Sequence, residues 1–256
     1  MSQQTPAQTI QEIEAIERIP LAERLGARST YDLIRAMAAR DPERLAIALP
    51  AGVVRSDRPT HLSAGALLKG VHQTANLLAD LGVEATDVIA ELLPNLWEAH
   101  LLFWGGQAAG IVCPIPLHVP VEQAIELLQA AQARVLVAPG PQVSRDLWQK
   151  AEAVRREVKS ITSVLQVRGP GKERDAVYAF DALVGEYPAD HLYTGREITL
   201  DDLAVAFPPG SATGTRGLVP LTHGNLLYTA WALGRATMLT QEEVLLGGLA
   251  RFFQEG

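Results

Sequence analysis

The chain has 256 residues, of which 48% are hydrophobic and 20% are charged, and its formal net charge is -7 at pH 7. This length allows one large domain or two small ones, and the apolar content indicates a globular protein with a sizeable core. The negative charge disfavours a nucleic acid as partner, because such a surface repels a polyanion.

The sequence favours neither a secretory signal nor a membrane span. The first 20 residues are polar and acidic, whereas a secretory signal needs a basic segment followed by an apolar one. The longest apolar run, residues 101–117, is shorter than the ~20 residues of a membrane span and contains glycines and prolines. The one cysteine, Cys113, lies in the apolar stretch GIVCPIP, which predicts a buried thiol in a reducing compartment. We therefore expect a cytoplasmic chain without a transmembrane segment.

Segments of strand and helix character alternate along the chain. The stretch EIEAIER at residues 12–18 predicts an exposed helical face. Continuous apolar runs predict strands at residues 45–49, 88–93, 111–115, 134–138, 163–167, 203–207 and 244–249. Helical spacing predicts helices at about residues 64–81, with Ser63 as cap, 96–110, 121–131, 143–158 and 223–238.

The order of these elements predicts the fold class. Apolar strands that alternate with helices are typical of an α/β protein, in which a mostly parallel sheet has helices on both faces. The stretch RGPGKERDA at residues 168–176 predicts a charged loop. Residues 177–199 show only a weak pattern, and we interpret them as a surface connection.

The stretch FPPGSATGTRGLVPLTHGNLLY, residues 207–228, holds the best candidate for a ligand site. Phosphate binding needs backbone N–H groups that point into one concavity, hydroxyl donors, a cation and, commonly, a following helix amino terminus. The stretch offers these groups between a predicted strand and a predicted helix, in Gly210, Ser211, Thr213, Gly214, Thr215, Arg216 and Gly217. It lacks the lysine of a Walker A loop. The residues alone leave two interpretations open, a phosphate-binding loop and an ordinary polar turn.

Other chemistry-bearing residues form no comparable pattern. Ser211 lacks the G-x-S-x-G frame of a hydrolase nucleophile. The tryptophans sit at helical positions among apolar neighbours and predict packing: Trp97, Trp104, Trp148 and Trp231. The histidines are scattered without the spacing of zinc ligands: His61, His72, His100, His118, His191 and His223.

The stretch that begins at residue 207 resembles the nucleotide-binding signature of AMP-forming acyl-CoA synthetases, in the adenylate-forming superfamily. That signature reads roughly Ser/Thr-Gly-Ser/Thr-Thr-Gly-x-Pro-Lys, followed after a few residues by Thr-His-x-Asn. The segments LLPNLWEAHLLFWGGQAAGIVCPIPLHVPVEQAIELLQAAQARVLVAPGP and VLLGGLARFF resemble other parts of the fatty-acyl-CoA ligase branch, in the same order. The resemblance covers only the amino-terminal part of a family member. It implies an amino-terminal helical extension at residues 1–28 and a partial AMP-binding large domain at residues 29–256.

The resemblance implies a two-step reaction with ATP, Mg²⁺ and coenzyme A. A fatty or related carboxylate attacks the α-phosphorus of ATP to give an acyl-adenylate and pyrophosphate, and the thiol of coenzyme A then displaces AMP. By the same resemblance, the backbone and hydroxyl groups of residues 210–215 hold the phosphates. Thr222, His223 and Asn225 match the Thr-His-x-Asn element, and we expect Thr222 and His223 to belong to the nucleotide site.

The chain also departs from the family pattern. Arg216 and Gly217 stand where the signature has proline and lysine, or Arg216 replaces the lysine if the alignment shifts by one residue. Ala212 replaces a hydroxyl residue, and Phe253 stands where the family usually has histidine. The family's adenine-binding segment, magnesium-binding glutamate, ribose-binding aspartate and catalytic lysine would lie beyond residue 256.

Two functions therefore remain open. One is that of an acid–thiol ligase, represented here by an amino-terminal part that is inactive by itself. The other is that of a non-catalytic module that binds a nucleotide or an acyl group, or serves as an interaction module. A sheet that ends at a strand near residue 249 would leave an edge uncovered, which favours a truncated chain or a partner chain that covers the edge.

Overall fold

The computed structural model describes residues 9–49, 60–208, 217–240 and 243–245. The strands in this part of the chain are β1 Leu45–Leu49, β2 Thr60–Ser63, β3 Val88–Glu91, β4 Ile111–Pro114, β5 Ala133–Pro139, β6 Ser163–Val167, β7 Val177–Ala179, β8 Leu203–Phe207 and β9 Val219–Thr222. The helices are α1 Ile10–Glu17, α2 Leu21–Leu25, α3 Thr30–Arg40, α4 Ala64–Asp80, α5 Trp97–Ala109, α6 Val121–Ala130, α7 Arg145–Glu157, α8 Phe180–Leu183 and α9 His223–Ala236.

A seven-stranded sheet in the order β7-β6-β5-β3-β4-β8-β9 forms the centre of the described structure. All neighbouring strands from β7 to β8 pair in parallel, and β9 alone in this sheet pairs antiparallel, with β8. This confirms the predicted α/β class with a mostly parallel sheet. The predicted strand at residues 45–49 is present, but it belongs to a separate antiparallel pair with β2.

Helices cover both faces of the sheet. Alternate residues of β5 point to opposite faces, as the pleat of a strand requires. Val135 and Val137 pack with residues of α3, α4 and α5, whereas Leu136 and Ala138 pack with residues of α6 and α7. Cys113 of β4 lies in the second of these two cores, and it is 0% exposed. Burial raises the pKa of its thiol to about 12, so the predicted core thiol is confirmed.

Serine side chains cap the amino termini of three helices. Ser29, Ser63 and Ser144 accept hydrogen bonds from the amide three residues further on, at 3.0, 3.2 and 3.3 Å. Each bond satisfies one of the amide groups that a helix start leaves without an intrahelical partner. The cap at Ser63 was predicted, whereas α3 was not.

Two glycines allow α5 to lie close to its neighbours. A Cβ atom at Gly105 would come within 2.6 Å of Thr74 in α4, and one at Gly106 would come within 2.6 Å of Val112 in β4. The Gly-Gly pair within this apolar helix is therefore a packing requirement.

In the described part of the chain no helix has the length and apolarity that crossing a bilayer demands.

The tryptophans occupy boundary positions, as predicted. Trp97 and Trp104 are half-buried against one core, and Trp148 is half-buried against the other. Trp231 of α9 stacks on Tyr228, with ring centroids 6.1 Å apart.

The interpretation of residues 177–199 as a surface connection is wrong. This segment contains β7 and α8, and the side chain of Phe180 is 0% exposed. The amide of Asn76 in α4 donates to the carbonyl oxygens of Pro188 and His191, at 3.0 and 2.9 Å. The segment therefore packs against α4. A strand of three residues and a helix of four are too short to produce a visible period.

Two further differences concern the carboxyl-terminal third. Strand β9 was not predicted, because Pro220 lacks an amide donor and argues against a strand. Of the predicted strand at residues 244–249, only Val244 and Leu245 are described; both are exposed and neither forms a strand. The remaining residues lie outside the described part, so the partner chain at that edge stays a prediction. The domain boundary at residues 28 and 29 also stays a prediction.

Replacement of the buried phenylalanine tests the corrected role of residues 177–199. We expect Phe180→Ala to lower the free energy of unfolding by about 3–5 kcal/mol, because it leaves a cavity in the core. Urea denaturation monitored by circular dichroism measures this loss, with Leu33→Ala on the exposed face of α3 as control. A loss no larger than that of the control would restore the surface interpretation.

Candidate functional site

Strands β8 and β9 form a β-hairpin, and the glycine-rich stretch, residues 208–218, connects them. Strands β8 and β9 pair from Phe207 opposite Val219 to Leu203 opposite Thr222. Residues 208–218 therefore join the two strands at the carboxyl end of β8. Gly210, Ser211, Thr213, Gly214, Thr215 and Arg216 lie in the segment 209–216, which is outside the described residues.

The carboxyl end of β8 is a favourable place for a ligand. In an open parallel sheet, ligands bind beyond the carboxyl ends of strands, where successive connections leave for opposite faces. Helix α5 follows β3 and packs on one face, whereas α6 follows β4 and packs on the other. Strand β4 is the direct neighbour of β8. The connection 208–218 thus begins one strand away from this change of face.

The amino terminus of α9 does not lie beside this connection. Strand β9 intervenes, and Thr222, which caps α9, pairs with Leu203 at the opposite end of β8. Four residues of strand span about 13 Å. The expectation that the dipole of the following helix acts on the glycine-rich stretch is therefore wrong.

The Thr-His-x-Asn element starts α9. The Thr222 hydroxyl accepts from the backbone amide of Asn225 at 3.1 Å, and the Asn225 side-chain oxygen accepts from the amide of Thr222 at 3.0 Å. This reciprocal arrangement is a capping box, in which two amides at a helix start are satisfied together. The polar groups of Thr222 and Asn225 are thus engaged in holding the helix start.

His223, the next residue, is 0% exposed. Its Nδ1 accepts a hydrogen bond from the backbone N–H of Thr30 at 3.2 Å. The same nitrogen lies 2.9 Å from the Thr30 hydroxyl. That hydroxyl donates to Oε1 of Gln107 at 2.9 Å. Since Nδ1 accepts, the proton of the neutral ring is on Nε2. Burial lowers the pKa of His223 to about 4; the positive charge of Arg196 lowers it further, whereas Asp202 opposes the shift.

The structure thus separates the predicted nucleotide-site residues into two groups. Gly217 belongs to the hairpin connection, and its φ of 153° is one that residues with a side chain rarely adopt. Thr222 and His223 lie at the far end of β9, in a helix cap and a buried network. Their assignment as nucleotide contacts stays a prediction, and this geometry does not favour it.

Sequence reasoning missed a group of charges near the carboxyl edge of the sheet. Glu91 at the end of β3 and Glu98 in the first turn of α5 are each 1% exposed. Arg168, directly after β6, donates from Nε to Oε1 of Glu98 at 2.5 Å and from Nη2 to Oε2 at 3.1 Å. Burial raises the pKa of Glu98, and the bonds from Arg168 oppose this shift. The available signal in the sequence was a single charged residue inside an apolar stretch, as with Glu91 in VIAELL and Glu98 in LWEAHLL.

The described residues also line a cavity of about 260 Å³, but it lies away from the hairpin connection. Ala75 and Asn76 of α4, Ala109 at the end of α5 and Arg196 contribute to its wall. Because α5 ends where β4 begins, this cavity is at the amino edge of the sheet. Among the described residues, no group of three His, Cys, Asp or Glu side chains is placed to hold a metal ion.

The family model described as AMP-binding enzyme matches residues 34–254. The chain belongs to this family. It is 26% identical over 225 residues to marinolic acid–CoA ligase of Pseudoalteromonas sp. (strain SANK 73390), a match that covers 86% of this chain and 33% of that one. It is 28% identical over 196 residues to crotonobetaine/carnitine–CoA ligase of Salmonella arizonae, with 75% and 36% covered. The chain thus spans about a third of the length of these relatives.

Solved structures agree in fold. A putative long-chain-fatty-acid CoA ligase from Rhodopseudomonas palustris superposes with a TM-score of 0.69 at 22% identity, over 88% of this chain and 52% of that one. The anthranilate CoA ligase AuaEII, in complex with anthranoyl-AMP, gives a TM-score of 0.63 at 16% identity, over 81% and 36%. The family match confirms the predicted membership in the AMP-binding family, and the solved structures confirm the fold.

A double-mutant cycle tests the ion pair between buried Glu98 and partly buried Arg168. We expect Arg168→Met to lower the free energy of unfolding by about 3–5 kcal/mol, because it leaves the Glu98 carboxylate buried without its cation. The double variant Arg168→Met with Glu98→Gln should lose less unfolding free energy than Arg168→Met alone, since both charges are removed. Urea denaturation at neutral pH measures these differences. Losses that simply add would show that the two side chains do not depend on each other.

The neutral state of His223 predicts a pH dependence of stability. The unfolded chain protonates this ring near its ordinary pKa of about 6.5, whereas the folded chain keeps it neutral down to about 4. The unfolded state therefore binds more protons in this window, and the wild-type chain loses up to about 3 kcal/mol as the pH falls through it.

His223→Asn removes this titration, so urea denaturation at several pH values isolates its effect. The difference in unfolding free energy between the wild type and His223→Asn should decrease as the pH is lowered from 7 towards about 4.5. Other titrating groups are common to both proteins. A difference that does not change with pH would contradict a buried, neutral His223.

Proposed function

We propose that this chain binds the phosphates of ATP at the connection between β8 and β9, as part of an acyl-CoA ligase that activates a fatty or related carboxylic acid. The observation that carries the proposal is the position of this connection at the carboxyl edge of the sheet, in a chain of the AMP-binding enzyme family. The overall reaction would yield an acyl-adenylate and then an acyl-CoA.

In this proposal the roles of the chain's own groups are binding and orientation. The backbone N–H groups of residues 210–215 and the hydroxyls of Ser211, Thr213 and Thr215 would donate to the β- and γ-phosphates. Arg216 would supply the cation that the missing lysine supplies elsewhere, with a planar fork that suits phosphate oxygens. Donors fixed in advance stabilise the charge that passes to the leaving pyrophosphate.

The donor set fits ATP better than it fits the other two cofactors. Glycine and hydroxyl residues at a strand end are suited to phosphate oxygens. Mg²⁺ prefers carboxylate oxygens, and the described residues offer no cluster of them, so we derive no role for this chain in holding the metal. Coenzyme A use is proposed for the whole ligase on the basis of the family.

The relatives support a carboxylic acid as the acyl substrate. The names of the compared proteins include marinolic acid, crotonobetaine or carnitine, and anthranilate, and all three proteins are CoA ligases. These substrates differ in shape, so the names support the carboxylate class and not one particular acid. The one cysteine, buried and reduced, supports a proposed cytoplasmic location.

Binding without turnover is the second candidate function, and one observation favours it. Gly217 occupies the position of the signature lysine in the unshifted alignment, and its φ of 153° disfavours a lysine there. A connection with this geometry could hold phosphates through its backbone and Arg216 while lacking the lysine's charge.

Calorimetric titration with ATP tests phosphate binding by the purified 256-residue chain. We expect binding, and we expect Arg216→Ala to weaken it about tenfold, the effect of losing one charged hydrogen bond. Arg174→Ala, at an exposed arginine outside the hairpin, is the matched control and should bind as the wild type does. Absence of binding at millimolar ATP would remove the proposed phosphate site, and unchanged affinity in Arg216→Ala would remove Arg216 from it.

Hydroxamate trapping tests whether these 256 residues suffice to activate an acid. The chain is incubated with ATP, Mg²⁺, hydroxylamine and a panel of fatty acids, and any acyl-adenylate appears as an acyl-hydroxamate. We expect ATP binding without hydroxamate from this 256-residue chain. Hydroxamate formation would show instead that these residues suffice for activation and would reject binding without turnover.

A further inference from the structure

Strand β9 is weakly held by its own side chains. Val219 is 48% exposed, Pro220 is exposed, and the remaining two residues are half-buried. Pro220 cannot donate to the strand ladder, and the pairing with β8 is irregular between Leu203 and Val205. An edge strand with so little burial has a weakly specified register.

The residue directly after β9 is held much more firmly. The His223 imidazole is enclosed completely, with its Nδ1 on the backbone N–H and hydroxyl of Thr30. The backbone adds two bonds, from the amide of His223 to the carbonyl of Asp202 at 3.0 Å and from the amide of Gly224 to that of Leu200 at 2.8 Å. These contacts fix the end of β9 to α3 and to the segment before β8.

A slip of β9 by one residue would break this arrangement. It would bring Thr222 or Gly224 opposite Thr30, and neither has a ring nitrogen to accept the Thr30 amide hydrogen. An unsatisfied buried amide is costly, so the contact disfavours the slipped registers. The same slip would change the number of residues between the paired strands, because β8 is anchored on its other side by β4.

We propose that His223 is a positioning residue, which sets the register of β9 against β8 and thereby the length of the connection 208–218 that binds ATP. The inference rests on the proposed function for its ATP-binding part. The ring itself does not touch the nucleotide; it acts through the Nδ1 acceptor and the β9 strand. This role explains why a buried histidine follows the end of β9 that lies away from the connection 208–218.

Three substitutions separate the acceptor from the volume of the ring. His223→Asn keeps an acceptor near the position of Nδ1, whereas His223→Gln moves it towards the position of Nε2. His223→Phe keeps an aromatic ring and removes the acceptor. The control is His61→Phe, the same substitution at an exposed histidine of β2.

Two measurements are made on each variant of the full chain, under conditions where circular dichroism shows it folded. Calorimetry with ATP should give a dissociation constant about tenfold higher for His223→Phe and His223→Gln, the effect expected when about a tenth of the molecules keep the native register, and within about threefold of the wild type for His223→Asn. Hydrogen exchange should be faster at the amides of residues 219 and 221–224 in His223→Phe and His223→Gln, more than in the rest of the sheet, and unchanged in His223→Asn.

The outcomes that overturn the inference are distinct from those that overturn the proposed function. Wild-type ATP affinity and wild-type exchange in His223→Phe would refute a positioning role. An effect in His223→Asn as large as that in His223→Phe would refute the role of the Nδ1 acceptor. If the wild-type chain binds no ATP, the proposed function fails, and the exchange pattern of residues 219–224 alone decides whether His223 sets the register.

Discussion

Strand β9 runs antiparallel to β8, and this reversal decides where the glycine-rich connection and helix α9 lie. The connection 208–218 is placed at the carboxyl edge of the parallel sheet, where ligands of α/β proteins bind. The start of α9 is carried to the opposite edge. A family signature that reads as one continuous motif in the sequence is thus divided into two parts: a connection that we propose binds phosphate, and a helix cap with a buried histidine.

The second part shows how the fold holds buried polar groups. His223 is buried in its neutral form: its Nδ1 contacts the amide and the hydroxyl of Thr30, whereas its Nε2 has no hydrogen-bond partner among the described residues. The charged pair of Glu98 and Arg168 is joined by two hydrogen bonds near the carboxyl edge of the sheet. A buried ion pair adds little net stability, but losing one partner is strongly destabilising. These polar contacts therefore fix the arrangement of the elements, while the two apolar cores provide most of the stability.

The sequence predicted the parts of the fold that have a long hydrophobic pattern. Helix α4 was predicted within one residue, and strands β6 and β8 were predicted with their observed bounds. Short or interrupted elements escaped detection: β7 has three residues, and β9 contains Pro220. The glycine and hydroxyl residues pointed to the candidate site, which stays a prediction, but they could not show the position of α9. A helix that follows a loop in sequence need not adjoin it when a strand lies between them.

The central claim is that the connection between β8 and β9 binds the triphosphate of ATP. Nuclear magnetic resonance of the uniformly ¹⁵N-labelled chain tests it most directly, because each amide reports separately during a titration with ATP. We predict saturable shifts of the amides of residues 210–217, and none at Ala75, Asn76 and Ala109, which line the cavity at the opposite edge of the sheet. Shifts confined to those cavity residues, or no saturable shifts at all, would contradict the account.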